Sequence, residues 1–395
     1  MKTQNFPRHG RIKVQTKASA IWGIVFKALG LILGVSVAVS GIAIAELSNS
    51  IKANGIVLAG STKITEADLA GPINMLLVGS DTRKGQGKGY GNDTSELADV
   101  IILLHVSADR KYATAMSFPR DLLVPWPACP STSTPPGPGY LPQSLGQINA
   151  TIANGGPGCT LLTVEKLTGL KIPYLAMIDF KGVIEMSNAI GGVEVCTTKA
   201  IHDEYTFLDL EAGTHTLMGK QALQFLRTRH GVGDGSDLSR ISNQQVFLTS
   251  LVRKVKSAGV LGNPIYLYSL ATAAARNMKL STTLTDVNVM VALAGALKDV
   301  ELDKMVFLQV PSRGGLPAPY SGRVAPIYET ANLIFEKLQK DEPIILAKAN
   351  GGQGAVVASP APSASPKPSA SPSSSASALP ETIVGSNAGT TTCSN

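Results

Sequence analysis

The chain has 395 residues, 44% of them hydrophobic and 16% charged, enough for one large domain or two modest ones with a real core. Its formal charge of +7 misleads when taken whole, because six of the 35 basic residues precede Glu46 and leave 29 against 28 acids beyond it. That balance excludes a generally basic exterior and, with it, nucleic acid as a partner; any anion site must come from local clustering.

Residues 1–17 carry Lys2, Arg8, Arg11, Lys13 and Lys17 and no acid. Residues 18–45 are then apolar apart from Lys27 and scattered serines, and residues 28–45, without a charge, are about long enough to cross a bilayer. Lys27 can snorkel to the near surface. The basic flank places the N-terminus in the cytoplasm and the bulk of this single-pass membrane protein outside the cell. The alternative is a leader cleaved after Ala43-Ile44-Ala45; the apolar run exceeds an ordinary signal core, which favours an uncleaved anchor. Residues 46–71 read as a stalk.

The folded region opens near Ile73. Asn74-Met75-Leu76-Leu77-Val78-Gly79 reads as a buried strand ending in a turn, and residues 100–106 and 112–118 read as two more, joined by a hairpin-like turn at 107–111. Residues 160–167 have helix spacing with Thr160 as the cap. A strand at 174–178 precedes a helix at 179–189, stopped by Gly191-Gly192, and a strand at 193–196. Helices follow at 219–226, 238–255, 265–275 and 284–297, then a strand at 305–310 and a last helix at 326–340. The alternation implies an α/β fold, a central mixed sheet flanked by helices, over residues 72–345. Residues 346–395, rich in Ala, Ser and Pro between Gly351 and Pro380, read as a disordered tail.

Cys129, Cys159, Cys196 and Cys393 fit an oxidising exterior, with no CxxC and no metal-ligand spacing to the five histidines. Cys129–Cys159 is the preferred disulfide; it closes a proline- and glycine-rich loop and contributes roughly 3–4 kcal/mol by loop entropy. Cys196–Cys393 follows only by elimination, and two free thiols are the alternative.

Asp81 follows the first strand and Asp99 opens the second, at loop ends where α/β sheets place ligands. Two carboxylates there can hold Mg²⁺ (or Mn²⁺) with phosphate and water completing the shell; taken singly, each is more often a turn acid. Arg120 closes the third strand in Ser117-Phe118-Pro119-Arg120-Asp121, where proline ends the ladder. Arg227 and Arg229 are two apart, which on an extended segment turns both guanidinium groups to one side. Arg240 and Gln244 are four apart, on one face of a helix. Together these arginines and the amide form a fork-shaped donor set for a diphosphate. The glycine-rich stretch 85–91 is no phosphate loop, since GxxxxGK[ST] is absent, and it reads as a lid. No GxSxG, HExxH or Cys–His pairing points to a hydrolase.

These motifs, with Gly191-Gly192-Val193-Glu194-Val195, Ala212-Gly213, Gly219-Lys220-Gln221-Ala222-Leu223 and the run 237–245, resemble in order and number the LytR-CpsA-Psr family, of an actinobacterial type. The signature motifs span residues 72–256. The resemblance implies an α/β/α ligase that grips a polyprenyl-pyrophosphate lipid in an apolar groove and transfers the attached glycopolymer to a muramic acid hydroxyl of peptidoglycan, as in attachment of wall teichoic acid. It assigns Asp81 and Asp99 to Mg²⁺ and acceptor activation, and Arg120, Arg227, Arg229, Arg240 and Gln244 to the pyrophosphate. Three positions depart from the family pattern. Leu97 and Asn243 stand where arginines are usual, with Arg83 or Lys88 as replacements for the first, and Asn188 stands for an aspartate. A pyrophosphatase acting on the same lipid and a non-catalytic wall-polymer or lipid-binding protein are the alternatives. Neither the glycopolymer nor the acceptor is named by the sequence.

Overall fold

Period-two patterning within apolar runs explains the centre of the molecule. A computed structural model describes residues 55–58, 69–82, 96–131, 137–257, 272–274, 276–285, 287–358 and 378–395, all within the unit Ser50–Asn395. The expected anchor, residues 18–45, lies outside them. No helix among the described residues is long and apolar enough to cross a membrane.

The strands in chain order are β1 (Ile73–Ser80), β2 (Ala98–Val106), β3 (Ala113–Phe118), β4 (Leu123–Trp126), β5 (Gln143–Gln147), β6 (Tyr174–Ile178), β7 (Val193–Thr197), β8 (Ile201–Asp203), β9 (Leu208–Leu210) and β10 (Gly213–Leu217). After these come β11 (Met278–Leu280), β12 (Met305–Gln309), β13 (Ser312–Arg313), β14 (Ala325–Pro326), β15 (Ala355–Val357), β16 (Gly385–Asn387) and β17 (Thr392–Ser394). The α-helices used below are α1 (Gly156–Thr168), α2 (Phe180–Ala189), α3 (Gly219–Arg227), α4 (Asp237–Lys256), α5 (Val287–Asp299) and α6 (Tyr328–Gln339).

Seven strands form the central sheet in the order β11-β6-β1-β2-β3-β12-β16. It is mixed: β1 pairs antiparallel with β2 and parallel with β6, and β3 pairs parallel with β12. A second sheet runs β10-β7-β17-β15. The two faces of the central sheet have different fates. Leu76, Val78, Ile101, Leu103, Leu175 and Met177 point one way, into a core closed by Leu161 and Val164 of α1 and by Ile334, Phe335 and Leu338 of α6. Their sequence neighbours Leu77, Gly79, Val100, Ile102, Ala176 and Ile178 point the other way, towards α2, α3 and α4, and line a cavity instead.

Several expectations are corrected. The helix expected from Thr160 begins at Gly156 with a proline in its first turn; Thr160 is interior and shares a 2.8 Å hydroxyl hydrogen bond with Thr151. The helix expected at 284–297 is α5, starting at Val287. The one expected at 265–275 falls largely outside the described residues. The stalk is partly core: Leu58 is buried, and Ile56 exchanges backbone hydrogen bonds with Leu280 and Thr282 at 2.7 and 2.8 Å.

The tail is also corrected. Residues 346–358 and 378–395 carry β15, β16 and β17, with Leu346, Leu379 and Ile383 joining the main core. These strands are three residues long and give no periodic signal; edge pairing needs only backbone donors and acceptors, which sequence patterning does not report. Two disulfides, Cys129–Cys159 and Cys196–Cys393, are formed. The second locks β17 to β7, so the pairing reached only by elimination is the one that holds this segment.

Candidate active site

Four segments meet at one end of the central sheet: the β1 end, the β2 start, the β3 end with Arg120, and the first turn of α4. The start of α4 is fixed by Ser236, whose hydroxyl accepts from Ser239 N–H at 3.2 Å. That cap places Asp237 and Arg240, one turn apart, against Asp99 and Arg120.

The resulting cluster is dense. Arg120 Nη1 donates to Asp99 Oδ1 at 2.6 Å, and its Nε lies 3.4 Å from both Asp121 and Asp237. Arg240 Nη2 donates to the Asp99 carbonyl at 2.9 Å, and its Nη1 lies 3.8 Å from Asp99 Oδ1. Arg240 Nη2 is 2.6 Å from Asp237 Oδ1, yet neither Asp237 oxygen has a hydrogen bond of acceptable geometry; the attraction is ionic and unaligned. Burial pushes the Asp237 carboxyl above its ordinary range, and Arg240 and Arg120 only partly offset this. Asp237 stands three residues before Arg240, a helix-face pairing readable in the sequence, although its place among the site residues was not.

Arg229 completes the group without an ion pair of its own among the described residues. Burial and then the positive charges of Arg120 and Arg240 hold its pKa below the usual value. Three guanidinium groups held near each other, one of them with Asp237 and Asp99 nearby but in no ion pair among the described residues, can receive an anion. Arg227 is corrected. It ends α3 and does not lie on an extended segment beside Arg229, so the two are not a fork. Its guanidinium sits 4.5 Å from the centre of the Phe180 ring, on the wall of the apolar cavity. Gln244 lines the same wall, while its amide Nε2 donates to the Leu226 carbonyl at 3.0 Å and steadies the end of α3. Asn243, where an arginine was expected, does the same for Phe225 O at 2.7 Å and accepts from Ser394 Oγ at 2.5 Å.

Asp81 and Asp99 sit at adjoining ends of the β1–β2 pair. Asp81 Oδ1 accepts from Leu97 N–H at 2.7 Å, and Asp81 N–H donates to Leu97 O at 3.1 Å, so Leu97 fixes the first carboxylate through its backbone. Arg83, Lys88 and the expected lid at 85–91 lie outside the described residues. Among those described, no group of three or more His, Cys, Asp or Glu side chains is arranged around a metal. Two hard carboxylates beside an arginine cluster are a donor set that Mg²⁺ takes when phosphate and water supply the remaining oxygens.

Asp203, at the end of β8, had no local signal. It is 1% exposed. Its Oδ2 accepts from Thr228 Oγ1, from Arg229 N–H at 3.0 Å and from His230 N–H at 3.2 Å; Oδ1 accepts from Tyr205 N–H at 2.9 Å. Burial pushes its pKa up, and these hydrogen bonds together outweigh burial and hold it below the usual range. Asp203→Asn is expected to loosen the Arg229 turn and lower stability by about 1–3 kcal/mol. Because the folded-state pKa is depressed, this contribution is present above the unfolded value of about 3.9 and is lost as pH falls through the folded value. Melting curves from neutral to acidic pH check it: the wild type should lose its advantage over the Asn variant only in that acidic window.

The cluster separates two spaces. On one side is an apolar cavity of about 350 Å³ between the sheet and α2, α3 and α4, lined by Leu77, Ile102, Val183, Leu223 and Phe247, with Asp99, Arg227, Arg240 and Gln244 on its wall. On the other is a cleft of about 470 Å³ of mixed lining, bordered by Asp121, Arg229, Asp237 and Arg323 and by Pro119, Leu238 and Val324. The model of the LytR_cpsA_psr family matches residues 43–340. The chain belongs to that family. It is 30% identical over 247 residues to the cell wall biosynthesis protein LcpA of Corynebacterium glutamicum, covering 56% of this chain and 47% of LcpA. It is 33% identical over 255 residues to the probable cell wall biosynthesis protein LcpB of the same organism, covering 62% and 56%. The chain thus spans about half the length of these curated relatives. It is also 29% identical over 234 residues to the polyisoprenyl-teichoic acid–peptidoglycan teichoic acid transferase TagT of Bacillus subtilis, covering 58% and 66%. Two solved structures share the fold. The LytR-Csp2A-Psr enzyme from Actinomyces oris aligns with TM-score 0.53 and 23% identity over 72% of this chain and 94% of that one. TagT bound to LIIa-WTA aligns with TM-score 0.52 and 22% identity over 72% and 98%. The family membership and the mixed α/β architecture expected from sequence therefore hold.

Proposed function

We propose that this family member is a membrane-anchored phosphotransferase that moves a glycopolymer from a polyprenyl-pyrophosphate carrier to a hydroxyl of peptidoglycan. The observation that supports it most is the junction of an apolar cavity with an arginine cluster. A lipid tail fits the first and a pyrophosphate the second, and the transferase names of its relatives agree with that pairing. Phosphoryl transfer asks a protein mainly for positioning and charge neutralisation. Arg120, Arg229 and Arg240 would hold the phosphate oxygens, and Arg227 the end of the pyrophosphate nearest the apolar wall. Asp81 and Asp99 would hold Mg²⁺, which neutralises oxygen charge when bound. Asp99, held by Arg120, would take the proton of an incoming hydroxyl. The anchor at 18–45 would keep the site outside the cell beside its lipid.

The test is a transfer reaction with the full chain in detergent, a polyprenyl-pyrophosphate-linked glycan and peptidoglycan, with and without Mg²⁺. Phosphodiester-linked glycan on muramic acid, detected by mass spectrometry and lost on chelation, is the expected result. Release of glycan phosphate into water without transfer would replace this reading by a pyrophosphatase; no binding of the lipid pyrophosphate would remove both.

A further inference from the structure

Gln353 lies beyond the family match, which ends at residue 340, yet it borders the cleft opposite the lipid cavity, beside Arg229 and Asp237. The backbone that carries it is fitted against the active-site turn at van der Waals limits. A Cβ on Gly354 would stand 2.2 Å from Ser239 O. Gly233 has φ +52, and a Cβ there would stand 2.2 Å from Gln353 O. Asn395 closes the join: its N–H donates to Gly354 O at 3.2 Å, and its carbonyl accepts from Gly233 N–H at 2.8 Å. Gln353 itself is exposed, with Oε1 accepting from Ser236 Oγ at 3.3 Å. Across the cleft, the loop between β13 and β14 contributes Arg323, whose Nη1 donates to Asp121 Oδ1 at 3.1 Å.

Pro119, Leu238 and Val324 give this space apolar patches, and between them stand the carboxylates of Asp121, Asp234 and Asp237, the guanidinium groups of Arg229 and Arg323, the Ser236 hydroxyl and the Gln353 amide, a mixed lining of the kind that a sugar ring with its hydroxyls requires; its about 470 Å³ falls in the range of roughly 300–1,000 Å³ usual for ligand sites. A phosphate held by Arg120 and Arg229 with its lipid in the apolar cavity must direct its other substituent, or the group attacking it, into this cleft. We propose that Gln353, with Arg323 facing it, contacts the saccharide next to the phosphate, so that the segment beyond residue 340 selects the sugar. The inference rests on the pyrophosphate reading of the arginine cluster.

The experiment measures binding by the full chain and its Gln353→Ala variant to three probes: a C20 prenyl pyrophosphate, the same lipid bearing one N-acetylhexosamine, and a soluble disaccharide-peptide fragment of peptidoglycan. Loss of one or two hydrogen bonds predicts a weakening of roughly three- to tenfold for a saccharide probe and none for the bare lipid. Weakening confined to the sugar-bearing lipid assigns Gln353 to the donor saccharide; weakening confined to the fragment assigns it to the acceptor. Equal binding of both saccharide probes by variant and wild type, with the bare lipid still bound, overturns the inference and leaves the pyrophosphate site standing. Failure of the wild type to bind the bare lipid overturns the site reading, and this inference with it.

Discussion

Under the proposed function, Arg229→Ala is expected to lower glycopolymer transfer by at least about 100-fold while leaving the melting temperature unchanged or slightly raised. Loss of one preorganised charge donor at a reacting oxyanion costs on the order of 10²–10³ in rate, and transition-state arginines in phosphoryl transfer contribute more. The stability effect has the opposite sign from that of most buried charge deletions. Arg229 makes no ion pair among the described residues, and burial with the charges of Arg120 and Arg240 disfavours its own charge more than Asp237 and Asp99 favour it. Arg240→Ala is the control. Arg240 is 3% exposed and stands against Asp99 and Asp237, so its removal leaves these partly buried carboxylates with Arg120 alone and should cost about 1–3 kcal/mol. Thermal melts and transfer rates on the two variants separate a ligand-facing arginine from one that also carries the fold. Equal destabilisation in both would mean that Arg229 belongs to a structural network and is not waiting for an anion.

The second large effect concerns Cys393. Replacing it with serine is expected to lower the melting temperature by on the order of 10 °C. The disulfide joins residues 197 apart in sequence, and loop entropy alone gives an upper figure of about 5 kcal/mol for such a closure. β17 lies between β7 and β15, the Ser394 carbonyl accepts from Thr198 N–H at 2.8 Å, and Arg253 Nη1 donates to Ala388 O and Thr390 O at 3.3 and 3.2 Å. Differential scanning calorimetry on the variant, beside wild type treated with reductant, checks the expectation; a shift below about 2 °C in both would show that strand pairing suffices without the crosslink.

The inner strands were legible because Ile73–Ser80 and Ala98–Val106 are apolar on both faces, and a fully apolar run bounded by turn residues reads as a buried strand. The same fact hid the cavity. Leu76 packs in the core and Leu77 faces the cavity, and nothing in their chemistry distinguishes the two sides. Arg120, Arg229 and Arg240 lie near one another, a proximity between distant segments that local spacing does not encode. Arg227 does not join them, because helix α3 continues one residue further than expected and turns its side chain towards Phe180. Asp203 was invisible since it acts on Thr228–His230 from 25 or more residues away, through backbone donors that no side-chain pattern marks. Residues 346–358 and 378–395 depart from the expected tail for a related reason: short strands added to existing edges draw on backbone pairing and one crosslink, neither of which appears as periodicity.

The placement of β17 also bears on biogenesis. A ribosome makes β7 nearly 200 residues before the strand that pairs with it, since Cys196 and Cys393 are 197 apart. Until residue 393 has been made, the turn holding Gly233 lacks the carbonyl of Asn395, and Asn243 lacks its donor from Ser394. The emerging chain can build the central strands early, but the arginine-bearing loop gains this support only once residues 393–395 have been made. A fusion or truncation downstream of residue 350 would therefore act on the site itself, far from it in sequence.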